Sequence, residues 1–249
     1  MLSTLYFPFS VDVELLQHAS KGIELSFWTF VLTIVLELWS LDTVKKVLEQ
    51  KGAGSALYNA AVIANVRNHF ILGWPVYVVA AKLFCRKEEE EELNASERMR
   101  AVLSILFVHS LGFYAAHRAF HTNPKLYRHH RFHHRFNTNV PPMAANAVSS
   151  VEYIVAYIIP FVAGLPFVRP DTLSLRLGVA IVSLTNLMIH TPKLCELSDL
   201  FLPEWLVSTS DHLEHHRKLN TKYAAPTFNI DYFVSFIEGS PSNKKSVLN

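Results

Sequence analysis

Long apolar blocks separated by short polar stretches dominate the chain. Most of these blocks approach the length of about 20 residues that a helix needs to cross the hydrocarbon core of a bilayer. The second block is interrupted by Arg67, Asn68 and His69, and only its second half is uniformly apolar. The pattern predicts an all-α, multi-pass membrane bundle of about four to five helices. The blocks cover residues 23–41, 56–85, 101–116, 151–168 and 173–190.

The last two apolar blocks are predicted to form a hairpin. Pro160, Pro166 and Pro170 lie within and after the first of them, where proline kinks a helix and favours a turn. The second arm therefore returns His190 to the side from which the chain left. This parity places three histidine-bearing segments on one face of the membrane: residues 117–134, His190 and residues 212–216.

Charge assigns this face to the cytosol. Residues 117–151 carry several basic side chains and no acidic one, and the acidic run Glu88–Glu92 falls on the opposite side. An excess of basic residues marks cytoplasmic segments of membrane proteins. The first ten residues lack the basic region and cleavage site of a signal peptide, so we expect the first membrane helix to direct insertion. The basic residues are Arg118, Lys125, Arg128, Arg131 and Arg135.

Composition supports this class and excludes others. Half of the 249 residues are hydrophobic and only 18% are charged, below the quarter that is usual in soluble domains. A net charge of +2 without a basic and aromatic stripe argues against nucleic acid as a partner. Cys85 and Cys195 are far apart and are expected to be reduced. The sequence contains no G-x-G-x-x-G motif, so a built-in flavin or nicotinamide fold is not expected.

Spaced histidines supply the candidate chemistry. His117 and His121 are four residues apart, and His212, His215 and His216 form a His-x-x-His-His triplet. On a helix these spacings put the imidazoles of each set on one face. Neutral imidazole is the commonest metal ligand among side chains. A shell made only of histidine suits iron, zinc or copper, and the spacing does not choose among them.

A second triplet strengthens the prediction of a metal centre. His130, His133 and His134 repeat the zero, three and four spacing, so three helical faces together indicate more than one metal ion. His129 is also four residues from His133, and it is the alternative to His130 as a ligand or a partner of one. His109, two turns before His117, is a candidate to face the same site from below.

At this point the motifs resemble a known pattern. HRAFH, LYRHHRFHH and DHLEHH resemble the three histidine boxes of the fatty acid hydroxylase and sterol desaturase superfamily. The resemblance runs from Phe113 to Phe233, and Pro141 and Glu152 follow the second box at the usual offset. Many members carry Asn-Tyr-Gly and Trp-Asp after the third box. This chain has Lys222-Tyr223-Ala224 and Ile230-Asp231 in those places.

The resemblance implies a non-haem diiron oxygenase of the endoplasmic reticulum membrane, with two iron ions on the cytosolic side. Electrons are then expected from a separate cytochrome b5 or NAD(P)H-dependent reductase. The extra ligand ahead of the third box corresponds to the histidine that ends the last membrane block. The implied metal ligands are His117, His121, His130, His133, His134, His190, His212, His215 and His216.

The reaction implied by the resemblance is the O2-dependent hydroxylation, desaturation or epoxidation of a membrane lipid. A sterol or sterol precursor is the first choice of substrate, and a fatty acyl or sphingolipid substrate is the alternative. The four-residue spacing of His117 and His121 favours the hydroxylase branch over acyl-CoA desaturases. From another class, a His-rich membrane metal transporter or metal-binding protein is the competing hypothesis.

Three regions are predicted. Residues 1–100 are expected to hold the N-terminal membrane helices and an acidic lumenal loop. Residues 101–240 are expected to form a fatty acid hydroxylase-like catalytic domain, and residues 241–249 a polar C-terminal tail.

Overall fold

A computed structural model describes residues 12–87, 90 and 93–239, and over these residues the chain is helical without β-strands. The predicted all-α class is confirmed. The start of the chain, the proposed tail at 241–249 and the acidic run apart from Glu90 lie outside the described residues. The α-helices are α1 (Val13–Trp39), α2 (Leu41–Leu48), α3 (Gly54–Arg67), α4 (Trp74–Phe84), α5 (Ala95–Thr122), α6 (Pro124–His130), α7 (Ser150–Glu152), α8 (Ile159–Val168), α9 (Thr172–Ile189), α10 (Cys195–Phe201), α11 (Thr209–Lys218) and α12 (Ile230–Ile237).

Four helical segments in the described part of the chain are long and apolar enough to cross a membrane. They are α1, α5, the segment Ser150–Val168 and α9. Ser150–Val168 comprises α7, a π-helical turn at Tyr153–Ile158 and α8. The protein is therefore a multi-pass membrane protein, as the apolar blocks predict.

The polar interruption of the second apolar block lies inside a continuous helical stretch. Helix α3 passes through a π-helical turn at Asn68–Gly73 directly into α4. The side chain of Asn68 donates to the carbonyl oxygen of Asn146 at 3.1 Å, and Arg67 donates to that of Val148 at 2.6 Å. Asn68 and His69 are buried. Arg67 and Asn68 thus satisfy backbone carbonyls of the loop at residues 146–148.

Polar contacts mark the two ends of the bundle. At one end Asp12 pairs with Lys82 at 2.6 Å and Arg98 pairs with Asp171 at 2.7 Å. Asp171 also caps α9, which follows the turn that closes the predicted hairpin. At the other end the buried carboxylate of Glu37 accepts a hydrogen bond from the backbone of Met143. The histidine-bearing elements lie at this second end.

A glycine permits the close packing of α5 on α8. A Cβ atom added at Gly112 would lie 2.7 Å from Cβ of Pro160, closer than real Cβ atoms approach. We expect Gly112→Ala to lower the free energy of unfolding by about 1–3 kcal/mol, since overpacking of this kind moves the backbone. Unfolding by SDS titration measures this change in the free energy of unfolding. Gly178→Ala is the control, because its added Cβ would meet side chains at ordinary or slightly short distances, the ring edge of Phe161 at 3.3 Å and Cγ2 of Ile105 at 3.6 Å. Equal effects of the two substitutions would contradict the prediction.

Candidate metal centre

Four structural elements carry the nine predicted ligands to one end of the bundle. Helix α5 presents His117 and His121 on successive turns near its end. The next three, His130, His133 and His134, come from the segment after the Asn123 cap, where α6 ends at His130 and a short 3-10 turn follows at His133–Arg135. His190 directly follows α9. Helix α11, capped by the hydroxyl of Ser208, carries the last three.

The nine imidazoles form two adjacent groups. Within each group one ring nitrogen from every member lies within 4.8 Å of the others. Ring centroids of His134 in one group and His216 in the other are 4.9 Å apart, so the groups share a boundary. The first histidine group contains His117, His121, His130, His134 and His215. The second histidine group contains His133, His190, His212 and His216.

Each His-x-x-His-His triplet is divided between the two groups. In the third box His212 and His216 are nearly in line on α11 and enter the second group, while His215 points to the first. In the second box the α-helix ends at His130, and His130 and His134 enter the first group while His133 enters the second. Each triplet therefore contributes ligands to both adjoining groups.

The Nε2 atoms of the first group converge within hydrogen-bond distance of one another. Nε2 of His130 lies 3.0 Å from that of His117, 2.9 Å from that of His121 and 2.8 Å from that of His134. Nε2 of His215 lies 3.2 Å from that of His134. In the second group the corresponding atoms of His190 and His212 are 3.0 Å apart, and those of His212 and His216 are 3.2 Å apart.

Backbone carbonyl oxygens behind the rings fix the orientation of three of these histidines. The Nδ1 atom of His117 donates to the carbonyl oxygen of Tyr223 at 2.8 Å, and that of His215 donates to Thr221 at 2.7 Å. The Nδ1 atom of His190 donates to the carbonyl of Asn186 at 2.7 Å. A carbonyl oxygen can only accept, so Nδ1 carries the proton and Nε2 carries a lone pair.

The second-box histidine His130 has a carboxyl partner instead. Its Nδ1 atom lies 2.6 Å from Oε1 of Glu152, and both side chains are almost completely buried. With Nδ1 of His117 and His130 both donating outwards, two Nε2 lone pairs face each other at 3.0 Å. A cation between them removes this repulsion, and imidazole Nε2 backed by a carbonyl or carboxylate is the usual arrangement of a metal-bound histidine. The residues present therefore fit a metal centre.

Burial keeps these imidazoles neutral, which is the form that binds metal. It lowers the pKa of His190 and of His215 to about 4. Burial, together with neighbouring histidines, also lowers the pKa of His133 and His212 well below its ordinary value. At pH 7 these ligands need lose no proton before a metal ion binds.

The segment after α11 covers the first group. The ring of Tyr223 lies 5.4 Å from that of His121, measured between centroids. Lys222 pairs with Asp211 at 2.9 Å and also with Glu214, both on α11. This pairing holds the turn whose Thr221 and Tyr223 carbonyls accept from the histidines. The turn departs from the family's Asn-Tyr-Gly pattern, and its backbone oxygens could not be identified as partners from the sequence.

The remaining candidate histidines lie outside both groups. His129 is half-buried, and its Nε2 accepts from Nε of Arg128 at 3.0 Å, so the structure brings His130 rather than His129 into the first group. His18 on α1 is 8% exposed and lies 3.4 Å from Glu14. His109 is fully buried on α5 but joins neither group.

The comparisons agree with this geometry. The profile of the fatty acid hydroxylase family matches residues 102–235, more than half of the chain and all nine histidines of the two groups. No curated protein is significantly similar to the chain, and no solved structure is either. The chain therefore belongs to the fatty acid hydroxylase family, within the superfamily of iron-dependent histidine-box membrane oxygenases that hydroxylate or desaturate lipids.

Proposed function

We propose that the protein is a diiron oxygenase that uses O2 to oxidise a membrane lipid, with the nine histidines of the two groups as metal ligands. The observation that carries the proposal is the pair of buried histidine groups, with five and four inward-facing nitrogens. A single structural zinc needs only four ligands, so nine favour two ions. Bound reduced iron would supply the oxidising power for attack on an unactivated C–H bond.

The protein's own residues position these metals and shield them from water. The carboxyl group of Glu152 and three backbone carbonyls orient three rings of the first group and the ring of His190. The buried rings of Phe113 and Phe120 pack against His117 and His130, with centroids 5.1 and 5.8 Å apart. Such rigid apolar surroundings keep water from the reacting carbon.

A cavity inside the membrane bundle supports a lipid substrate. It is lined by α1, α4, α5, α8, α9 and both π-helical turns, and Asn146 and Asn186 form its wall nearest the histidines. An entirely apolar opening between α4 and α8 shares Val76 and Val162 with it. A lipid is therefore proposed to pass sideways from the bilayer into the bundle. A sterol or sterol precursor is the proposed substrate, and an acyl lipid is the alternative.

The basic surface around the site supports a cytosolic location and an external electron donor. Five basic side chains between His117 and Val151 are exposed, and no acidic residue lies among them. This follows the positive-inside rule for the cytosolic face of the endoplasmic reticulum membrane. A cytochrome b5 or reductase with an acidic docking face is the proposed donor, since complementary charge steers such encounters. The basic residues are Arg118, Lys125, Arg128, Arg131 and Arg135.

A lipid profile of yeast membranes tests the function. We expect the expressed chain to produce an oxygenated or unsaturated lipid, detected by mass spectrometry, that is absent from cells without it. His215→Ala and His133→Ala, one from each histidine group, are expected to abolish this product. His129→Ala is the matched control and should retain it, because His129 lies outside both groups. A product that persists in both group variants would refute the oxygenase proposal, as would one bound zinc and no iron in the purified protein.

A further inference from the structure

The cavity in the bundle extends well below the histidine groups. Its lining residues on α9 run from Leu175 to Asn186, a rise of about 16 Å along the helix. Asn186 defines the upper end, because its carbonyl accepts from Nδ1 of His190 and its side-chain amide donates to Ala145 at 3.0 Å. The cavity thus begins at Asn186, one helical turn from His190, and runs towards the middle of the membrane.

Its walls are mainly apolar and aromatic, yet they contain unsatisfied polar atoms. His109 on α5 is fully buried, and among the described residues neither of its ring nitrogens has a hydrogen-bond partner. Nε2 of His69, the hydroxyl of Tyr77 and Oδ1 of Asn186 also lack one within the described part of the chain. All four side chains line the cavity. A buried polar group without a partner is costly, so several around one cavity indicate a polar ligand.

His109 is the clearest of these groups. Its ring neighbours are aromatic and provide no strong acceptor: the centroids of Phe113 and of Phe161, which also lines the cavity, are each 6.1 Å away. A neutral imidazole has one N–H donor and one lone pair. A hydroxyl group has both functions as well, so a single hydroxyl can use either free nitrogen of His109. His109 lies eight residues before His117, about 12 Å lower along α5.

We propose that His109 is a specificity-determining residue that binds the hydroxyl group of a lipid alcohol within this cavity. The part of the lipid remote from the hydroxyl then extends upwards to the histidine groups, which rests on the proposed function. A sterol fits this arrangement, whereas a hydrocarbon precursor leaves His109 unsatisfied. The contact between the lipid hydroxyl and His109 therefore distinguishes among substrate classes that the metal centre by itself does not discriminate.

Equilibrium binding of matched lipid pairs to purified full-length protein tests the proposal. The pairs are cholesterol with cholestane and 1-hexadecanol with hexadecane, each tritiated and offered in detergent micelles. We expect wild-type protein to prefer the alcohol in at least one pair. His109→Phe, which keeps an aromatic ring but no hydrogen-bonding atom, should lower alcohol affinity about tenfold and leave hydrocarbon affinity unchanged. His109→Gln, which keeps both hydrogen-bonding functions, should retain most of the preference.

The matched control is His18→Gln, because His18 is a buried histidine of α1 that does not line the cavity. Metal content and helical circular dichroism show whether each variant is folded. No preference for either alcohol in the wild type would overturn the proposal, as would equal loss of alcohol and hydrocarbon in both His109 variants. Because binding is measured without turnover, an alcohol preference can be found even if no lipid is oxidised, so the two proposals fail separately.

Discussion

Replacing His212 with alanine is expected to remove one of the two proposed iron ions from the protein, whereas replacing His121 leaves both in place. The second histidine group has four members, so loss of His212 leaves three ligands. The first group has five, and loss of His121 leaves four. A structural zinc site with four protein ligands contributes about 10–16 kcal/mol of binding free energy, or roughly 3 kcal/mol for each ligand, and we expect a loss of this order for iron. The second group should therefore lose affinity by about two orders of magnitude.

Iron per chain, measured by mass spectrometry of the metal after dialysis against a graded chelator, checks this difference. We expect the wild type and His129→Ala to hold two ions and His212→Ala to hold one. His121→Ala should hold two ions up to a chelator concentration higher than the one at which His212→Ala loses its ion. Product formation should fall to background in His212→Ala, since both ions are proposed to take part. Equal metal loss from the His121 and His212 variants would show that the division into five and four does not govern binding.

The membrane topology could largely be predicted from the sequence because the bilayer imposes a simple rule of length and polarity. The hairpin of α8 and α9 follows from Pro170 and the capping residue Asp171, which fix the turn locally. The spacing of His117 and His121 likewise predicts their shared face, since α5 continues without a break through both. These features depend on neighbours a few residues apart.

The division of the histidines could not be predicted in this way. The helical spacing of His130, His133 and His134 suggests one face, but the helix ends within the triplet. Phe136, just beyond it, is 1% exposed in a core with Met143 and parts of α3, so contacts with distant residues hold this segment in place. The same division occurs on the continuous helix α11, so it depends on how the segments are placed against one another. Packing between distant segments thus decided the site's geometry.

The partners behind the rings were also hidden from sequence reasoning. Three of them are backbone carbonyls, whose direction depends on the fold rather than on residue type. Arg67 and Asn68 show the same limit, because they resemble an interruption of a membrane helix but bind the loop at residues 146–148. From the sequence, Glu152 could be recognised only as a residue at the usual offset after the second histidine box. Its contact with His130 spans 22 positions and requires the structure.

Replacing Glu152 with leucine is expected to weaken metal binding at the first histidine group by about 10–100-fold, the usual effect of removing the partner of a metal-bound histidine. Leucine has a similar size but cannot accept from Nδ1 of His130, so the ring loses its preferred tautomer and its orientation. Glu152→Gln should stay within a few fold of the wild type, because its amide oxygen can still accept at the position of Oε1, 2.6 Å from Nδ1. Glu152 is thus a positioning residue.

Titration of both variants with ferrous iron under anaerobic conditions separates orientation from charge. Two binding steps are expected, one for each histidine group. Only the step that belongs to the first histidine group should change in Glu152→Leu, because the second group has no contact with this carboxylate. A general packing defect would instead weaken both steps and lower the helical signal. If Glu152→Gln were as weak as Glu152→Leu, the negative charge rather than the hydrogen bond would be what the metal requires. Recovery in the glutamine variant establishes that the carboxylate acts by fixing the proton of His130 on Nδ1, leaving Nε2 free for the metal.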